Sequence, residues 1–156
     1  MKLRLTLSAA VLCASFSGCA SVTSDINFQA PGAGWTASPP ILGRTQIWIK
    51  QGTSSTRNSI VVLVRGVNTS KNVFDNPGFA ASKTHLDKDE ATKICGNQPA
   101  EHYMGSGQMN GAPSVFEGYV STVRGERYLA LYAHPKAEPP DPQAETAIAS
   151  LCPKSA

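Results

Sequence analysis

Three histidines, His85, His102 and His134, are the residues of this chain whose side chains most readily supply a general base or a metal ligand. No two of them have the His-x-x-x-His or His-Glu-x-x-His spacing that places two imidazoles on one helix face. Glu101 and His102 are adjacent, so on a strand their side chains point to opposite faces and do not act together. We therefore predict no catalytic residue, no metal site and no cofactor.

The sequence around the serines does not favour a nucleophilic serine or a phosphate-binding loop. Gly105-Ser106-Gly107 follows a predicted strand, but no predicted helix follows it. A nucleophile elbow requires a strand, a turn and a helix, and a phosphate cradle requires the helix N-terminus. We predict a loop from Gly105 to Gly111 and a protein that is not an enzyme. The alternative is a hydrolase whose site combines distant residues, for example His102 or His134 with a serine.

The N-terminus has the features of a cleaved export signal. Lys2 and Arg4 are basic, the stretch from Leu5 to Phe16 is mostly apolar, and small residues follow it. This order is typical of a secretory signal peptide, and the apolar stretch is shorter than the roughly 20 residues that a membrane-spanning helix needs. We predict that residues 1–18 are removed and that the protein works in the cell envelope.

The end of this signal, Phe16-Ser17-Gly18-Cys19, resembles a bacterial lipobox. The resemblance implies that Cys19 is lipidated with acyl chains such as palmitate, becomes the first mature residue and anchors the chain to a membrane. Ala20 follows, which by the same resemblance favours the outer membrane of a diderm cell, facing the periplasm. The alternative is cleavage after Ala20, which would give a soluble periplasmic or secreted protein.

Cys95 and Cys152 remain in the mature chain as an even pair bound for an oxidising compartment. A disulfide between them is the predicted state, and metal binding is less favoured because no Cys-x-x-Cys pair is present. Removing Lys2 and Arg4 from the 14 basic residues leaves 12 against 11 acidic ones, a net charge of about +1. Such a balance offers no electrostatic basis for binding nucleic acid.

The elements that must position these residues form one predicted α+β domain at residues 45–156, after a tether and lead-in segment at residues 19–44. Thr45–Lys50 alternates as a half-buried strand, and Ile60–Val64 is a continuous apolar run typical of a strand covered on both faces. That coverage predicts an antiparallel sheet flanked by helices. One of these helices is predicted at Phe79–Leu86, and short strands are predicted at Thr92–Cys95 and Ala100–Met104.

The second half of the chain has the clearest local signals. Val115–Val123 and Tyr128–Ala133 are strand-like runs joined by Arg124-Gly125-Glu126, which predicts a β-hairpin. Asp141-Pro142 then has the residue types of a helix N-cap and first turn. The apolar positions that follow have helical spacing, and they are Ala144, Ala147, Ile148 and Leu151.

Several of these segments together resemble small bacterial envelope lipoproteins of the Mog1/PsbP-like group. They are Gly34-Trp35, the early strand pair, Ile94-Cys95-Gly96-Asn97-Gln98-Pro99-Ala100, the late hairpin and the closing helix with Cys152. The resemblance implies a sheet between helices and an assembly or accessory role, and it carries no catalytic residue. We predict a lipid-anchored, non-enzymatic envelope protein that binds a protein or small-ligand partner, with an inhibitor or immunity-type lipoprotein as a further alternative.

Overall fold

The computed structural model describes residues 21–52, 58–67 and 84–155. The predicted export signal, Cys19 and residues 79–83 of the predicted helix therefore lie outside the described residues. Nine strands and one helix occupy the described part of the chain. They are β1 (Ile26–Asn27), β2 (Thr36–Ala37), β3 (Thr45–Gln51), β4 (Asn58–Arg65), β5 (His85–Ile94), β6 (Gln98–Met109), β7 (Ala112–Val123), β8 (Glu126–Pro135), α1 (Pro142–Ile148) and β9 (Cys152–Pro153).

Seven of the strands form one antiparallel sheet in the order β2-β3-β4-β8-β7-β6-β5. Strand β8 lies between β4 and β7, and its pairing with β4 brings Ile60 opposite Ala133. Strands β1 and β9 pair separately, so that Ile26 near the start of the described chain lies opposite Pro153 near its end. The two ends of the domain are thereby joined.

Side chains alternate between two surfaces of the seven-stranded sheet. The surface on which α1 packs, here called the helix face, carries Trp48, Val61, Leu63, Ala130 and Tyr132. The opposite surface, here called the second face, carries Ile47, Val62, Phe116, Leu129 and Leu131. Each face therefore has an apolar centre of its own.

The predicted α+β fold class, with helices flanking the sheet, is wrong. The described chain is mostly antiparallel strand, and α1 is the one helix within it. In β4, Val61 and Leu63 are fully buried on the helix face, whereas Ile60, Val62 and Val64 are only partly buried on the second face. A continuous β-branched run reflects strand propensity as well as two-sided burial, so it did not require a helical layer on each side.

Strands β5 and β6 are longer than the sequence pattern predicts. His85 and Leu86, assigned to a helix, belong to β5, and the predicted loop from Gly105 is strand as far as Met109. The turn between β6 and β7 is only Asn110-Gly111, whose φ values of 51° and 76° suit a tight hairpin turn. The polar, mostly exposed residues of β5 suit its place as an edge strand.

The hairpin of β7 and β8 and the closing helix confirm the predictions made for them. Arg124 and Gly125 make the hairpin turn with φ values of 51° and 81°. Asp141 caps α1 by accepting a hydrogen bond from the Gln143 backbone N–H at 2.9 Å, and Pro142 is the first helical residue. Ala144, Ala147, Ile148 and Leu151 are all fully buried.

Residues 21–44, assigned to the tether and lead-in segment, pack against the domain. They contribute β1 and β2, and the side chains of Val22 and Ile26 lie in the helix-face core together with Ile148 and Leu151. This short segment therefore supplies part of the layer that covers the helix face.

Candidate functional site

Of the residues predicted to carry chemistry, Cys95 and Cys152 are joined. The structure shows their disulfide, with the two Cα atoms 5.5 Å apart and a sequence separation of 57. The bond ties β9 to the turn between β5 and β6, and so connects the end of the domain to its edge strand. Cys19, the predicted lipidation site, lies outside the described residues.

The three histidines lie in separate places. His85 is on edge strand β5 with a side chain that is 79% exposed. His134 is buried on the helix face, where its ring stacks on Tyr132 with the centroids 5.0 Å apart. His102 lies on β6 and is the one whose surroundings include carboxylates on both sides.

His102 stands between two glutamates on neighbouring strands. Its Nε2 is 2.8 Å from Oε1 of Glu117 on β7, its Nδ1 is 3.6 Å from Oε1 of Glu90 on β5, and its ring stacks on Tyr119 at 4.5 Å. The Lys88 ammonium, which donates to Glu90 at 2.6 Å, holds the pKa of Glu90 below its ordinary value. Sequence patterns missed this cluster because its members are neighbours only across strands.

The geometry of this cluster suits a structural contact between strands better than proton transfer to a substrate. Both ring nitrogens of His102 already face carboxylate oxygens, so neither nitrogen is turned towards a substrate site. Within the described ranges, no group of three or more His, Cys, Asp or Glu side chains is arranged to hold a metal ion. The cluster joins β5, β6 and β7 side by side.

The second face carries a partly exposed aliphatic surface, here called the aliphatic patch. Its members are neighbours on β3 and β4, namely Ile47, Ile49, Ile60, Val62 and Val64. All five are partly buried, and the patch continues into the buried cluster of Phe116, Leu129 and Leu131. The one helix of the described chain packs on the other side of the sheet.

A polar cluster on β6 and β8 borders the second face. The Tyr103 hydroxyl donates to Glu101 at 2.5 Å, and the Arg127 guanidinium donates to the same Glu101 oxygen at 2.7 Å. A surface cavity of about 500 Å³ lies beside this pair, with Val120 and Thr122 among its lining residues. Burial, together with the hydrogen bond to Glu101, raises the pKa of Tyr103 and keeps its hydroxyl a donor. As strand alternation predicts, Glu101 points away from His102.

Asp141 connects α1 to the N-terminal segment and to β3. Its Oδ2 accepts from Lys50 Nζ at 2.6 Å and from Trp35 Nε1 at 3.1 Å, while its own backbone N–H donates to the Tyr132 hydroxyl at 3.0 Å. Burial raises the pKa of Asp141, but the hydrogen bonds donated by Lys50, the Gln143 backbone and Trp35 outweigh it and hold that pKa below its ordinary value.

The substitution Asp141→Asn keeps an N-cap that can accept from Gln143 but removes the charge paired with Lys50, so it is expected to destabilise the domain by up to about 1 kcal/mol at pH 7. A carboxyl whose folded pKa is lowered contributes stability above its unfolded pKa and loses that contribution as pH falls through the folded value. The difference between wild type and Asp141→Asn should thus shrink below about pH 4. Urea unfolding at pH 7 and pH 3 measures it. Exposed Asp89→Asn is the control, and an unchanged gap at both pH values would contradict this account.

No described helix has the length and apolar character that crossing a membrane demands. No protein-family model matches the chain, and no curated protein matches it significantly. Among solved structures, the chain is similar to the crystal structure of PA94 from Pseudomonas aeruginosa, a protein of unknown function described as a putative regulator. The two share 15% identity with a TM-score of 0.51, over 81% of this chain and 90% of PA94. At this identity the likeness establishes a shared fold alone.

Proposed function

We propose that this protein is a lipid-anchored, non-enzymatic module of the bacterial cell envelope that binds a partner protein through the aliphatic patch on its second face. The observation that carries the binding role is the patch itself, a row of five partly exposed aliphatic side chains across β3 and β4. Contiguous apolar surface of this kind marks interaction sites in soluble domains.

The arrangement of the polar groups supports a role without catalysis. His102 is held between Glu90 and Glu117, His134 is stacked beneath the helix against Tyr132, and the Tyr103 hydroxyl is committed to Glu101. Each of these groups has an internal partner that explains its position. Acid–base catalysis requires a group aimed at a substrate, so these contacts favour a structural role for them.

The N-terminal residues support the anchored location. The predicted lipobox ends at Cys19, and Val22, three residues later, is buried in the helix-face core. The Cys95–Cys152 disulfide suits an oxidising compartment. A lipid on Cys19 would hold the domain against the outer membrane, on its periplasmic side. Membership of the Mog1/PsbP-like group stays a prediction.

Mass spectrometry of the protein extracted from membranes is expected to show a mature chain that begins at Cys19 with acyl chains attached. The substitution Cys19→Ala should release the protein into the soluble periplasmic fraction, because the remaining chain has only its own surface to hold it to the bilayer. Asn97→Ala is the control, since Asn97 is an exposed turn residue and its replacement leaves both the anchor and the disulfide intact. A soluble wild-type product that begins at Ser21 would contradict the anchor.

The binding role is tested by photocrosslinking in intact cells. A photoreactive amino acid at Ile49, inside the aliphatic patch, should form a discrete adduct with one envelope protein, identified by mass spectrometry. The same amino acid at Gln143, which is exposed on α1, is the control and should give no such adduct. Absence of an adduct at Ile49, or the same adducts at both positions, would overturn the proposed binding surface.

A further inference from the structure

The turn before β3 presents two large aliphatic side chains to solvent. Leu42 is 92% exposed and Ile41 is 50% exposed, and within the described residues these are the exposed large hydrophobic side chains. Pro39 and Pro40 precede them and are exposed as well. We call residues 39–42 the apolar tip. Its side chains belong to neither hydrophobic core. Packing within the domain therefore does not explain why these four residues are apolar.

The apolar tip is held in a defined shape. The Ile41 carbonyl accepts hydrogen bonds from the backbone N–H groups of Arg44 at 3.0 Å and Thr45 at 3.1 Å. Leu42 and Gly43 have φ values of 51° and 64°, the left-handed geometry of a tight two-residue turn, as at Asn110-Gly111 and Arg124-Gly125. This turn holds the Leu42 side chain out in solvent, although a polar residue would serve the turn equally well. An exposed leucine in a hydrogen-bonded turn therefore fits a surface made for an apolar environment.

The apolar tip lies at the same end of the domain as the N-terminus. The Arg65 backbone N–H donates to the Arg44 carbonyl at 2.7 Å, and the Arg65 side chain reaches Ser24 Oγ at 2.6 Å and Asp25 Oδ2 at 3.2 Å. Ser21 is two residues from Cys19, so a lipid on that cysteine would attach within about 7 Å of the described chain. The predicted anchor and the apolar tip therefore lie at one end.

Basic side chains surround this end. Arg44 and Lys154 are exposed, and the Arg124 side chain is 52% exposed and donates to the Lys154 carbonyl at 3.2 Å. The acidic groups beside them are Asp25, which pairs with Arg65, and Glu126. Four cations against two anions leave a local positive excess in a mature chain whose overall charge is about +1. Anionic lipid headgroups attract basic residues placed in this way.

We propose that this end is a membrane-contacting surface, in which the apolar tip enters the bilayer interface and Arg44, Arg124 and Lys154 face anionic headgroups. The inference rests on the proposed anchor, which would keep the domain at the bilayer, and adds an orientation to it. Strand β3 begins at the apolar tip, so the sheet would extend away from the membrane. The aliphatic patch on the second face would then point to the side, away from the bilayer.

The test uses the mature chain with Cys19→Ser and an N-terminal histidine tag, attached to vesicles that contain nickel-chelating lipid. Attachment then does not depend on acylation, which mass spectrometry of the native protein measures separately. With the Cys95–Cys152 disulfide closed, Leu42→Cys provides one thiol for an environment-sensitive dye. Gln108→Cys, exposed near the opposite end of the sheet, is the matched control.

On vesicles containing phosphatidylglycerol, the dye at Leu42→Cys should brighten at least about twofold and be quenched by brominated lipid, as expected for a side chain in the interface. The dye at Gln108→Cys should do neither. Adding Arg44→Glu and Arg124→Glu should reduce the response, as should high salt. Unchanged fluorescence of the dye at Leu42→Cys, or equal fluorescence changes at both positions, would overturn the proposed membrane contact. Either result would leave the acylation measurement unaffected.

Discussion

Removal of the Cys95–Cys152 disulfide is expected to lower the free energy of unfolding by about 4 kcal/mol. The bond closes a loop of 57 residues in sequence, and in the chain-entropy account the unfolded state gains the conformations that this closure excludes. The loop contains β6, β7, β8 and α1, so three of the seven strands of the sheet lie between the two cysteines.

Urea unfolding of the double variant Cys95→Ala/Cys152→Ala, beside wild type with and without a reductant, measures the effect. The reduced wild type and the double variant should unfold at similar urea concentrations, well below the oxidised wild type. Ser155→Ala, a nearby change at an exposed position that keeps both cysteines, is the control. Equal midpoints for the oxidised and reduced wild type would show that the bond does not stabilise the domain.

Ile26→Ala is expected to destabilise the domain by about 2–5 kcal/mol, the range for truncating a buried isoleucine to alanine. Ile26 is 1% exposed and belongs to the helix-face cluster with Ile148 and Leu151. The side chain comes from a segment whose composition is that of a flexible connection, so a loss of this size would show that the segment is part of the folded unit.

Asn27→Ala is the matched control for this substitution. Asn27 is the neighbouring residue of β1, its side chain is exposed, and its backbone pairing with Cys152 does not depend on the side chain. Thermal or urea unfolding of both variants should show a large loss for Ile26→Ala and a small one for Asn27→Ala. Similar small losses for both would mean that the N-terminal segment is only loosely attached.

A domain anchored through Cys19 would have less freedom to reorient at the membrane than a domain carried on a long tether. Val22 is buried soon after Cys19, and Ser24 and Asp25 are held by Arg65, so little slack remains between a lipid and the domain. A short connection restricts the orientations that the domain can adopt at a bilayer. Under the two proposals made above, the apolar tip would face lipid and the aliphatic patch would face a partner protein.

Local sequence patterns determined the features that depend on neighbouring residues. The turn at Arg124-Gly125, the cap at Asp141 and the buried side of α1 follow from residue types and spacing within a few positions. The pairing of Cys95 with Cys152 follows from cysteine count once export is inferred. The inference from Ile60–Val64 to helices on both sides of the sheet was wrong. Strand propensity alone and burial on both faces both produce a continuous apolar run, so the run does not distinguish them.

The tertiary structure alone decided which groups meet across strands. His102 lies between Glu90 and Glu117 because β5, β6 and β7 are paired in one register, and the aliphatic patch is partly exposed because α1 packs on the other face. The exposure of Leu42 likewise depends on how the turn before β3 projects from the sheet. Periodicity along a chain describes which residues share a face. Which face is covered, and by what, is set by contacts between segments far apart in sequence, such as β4 with β8 and β1 with β9.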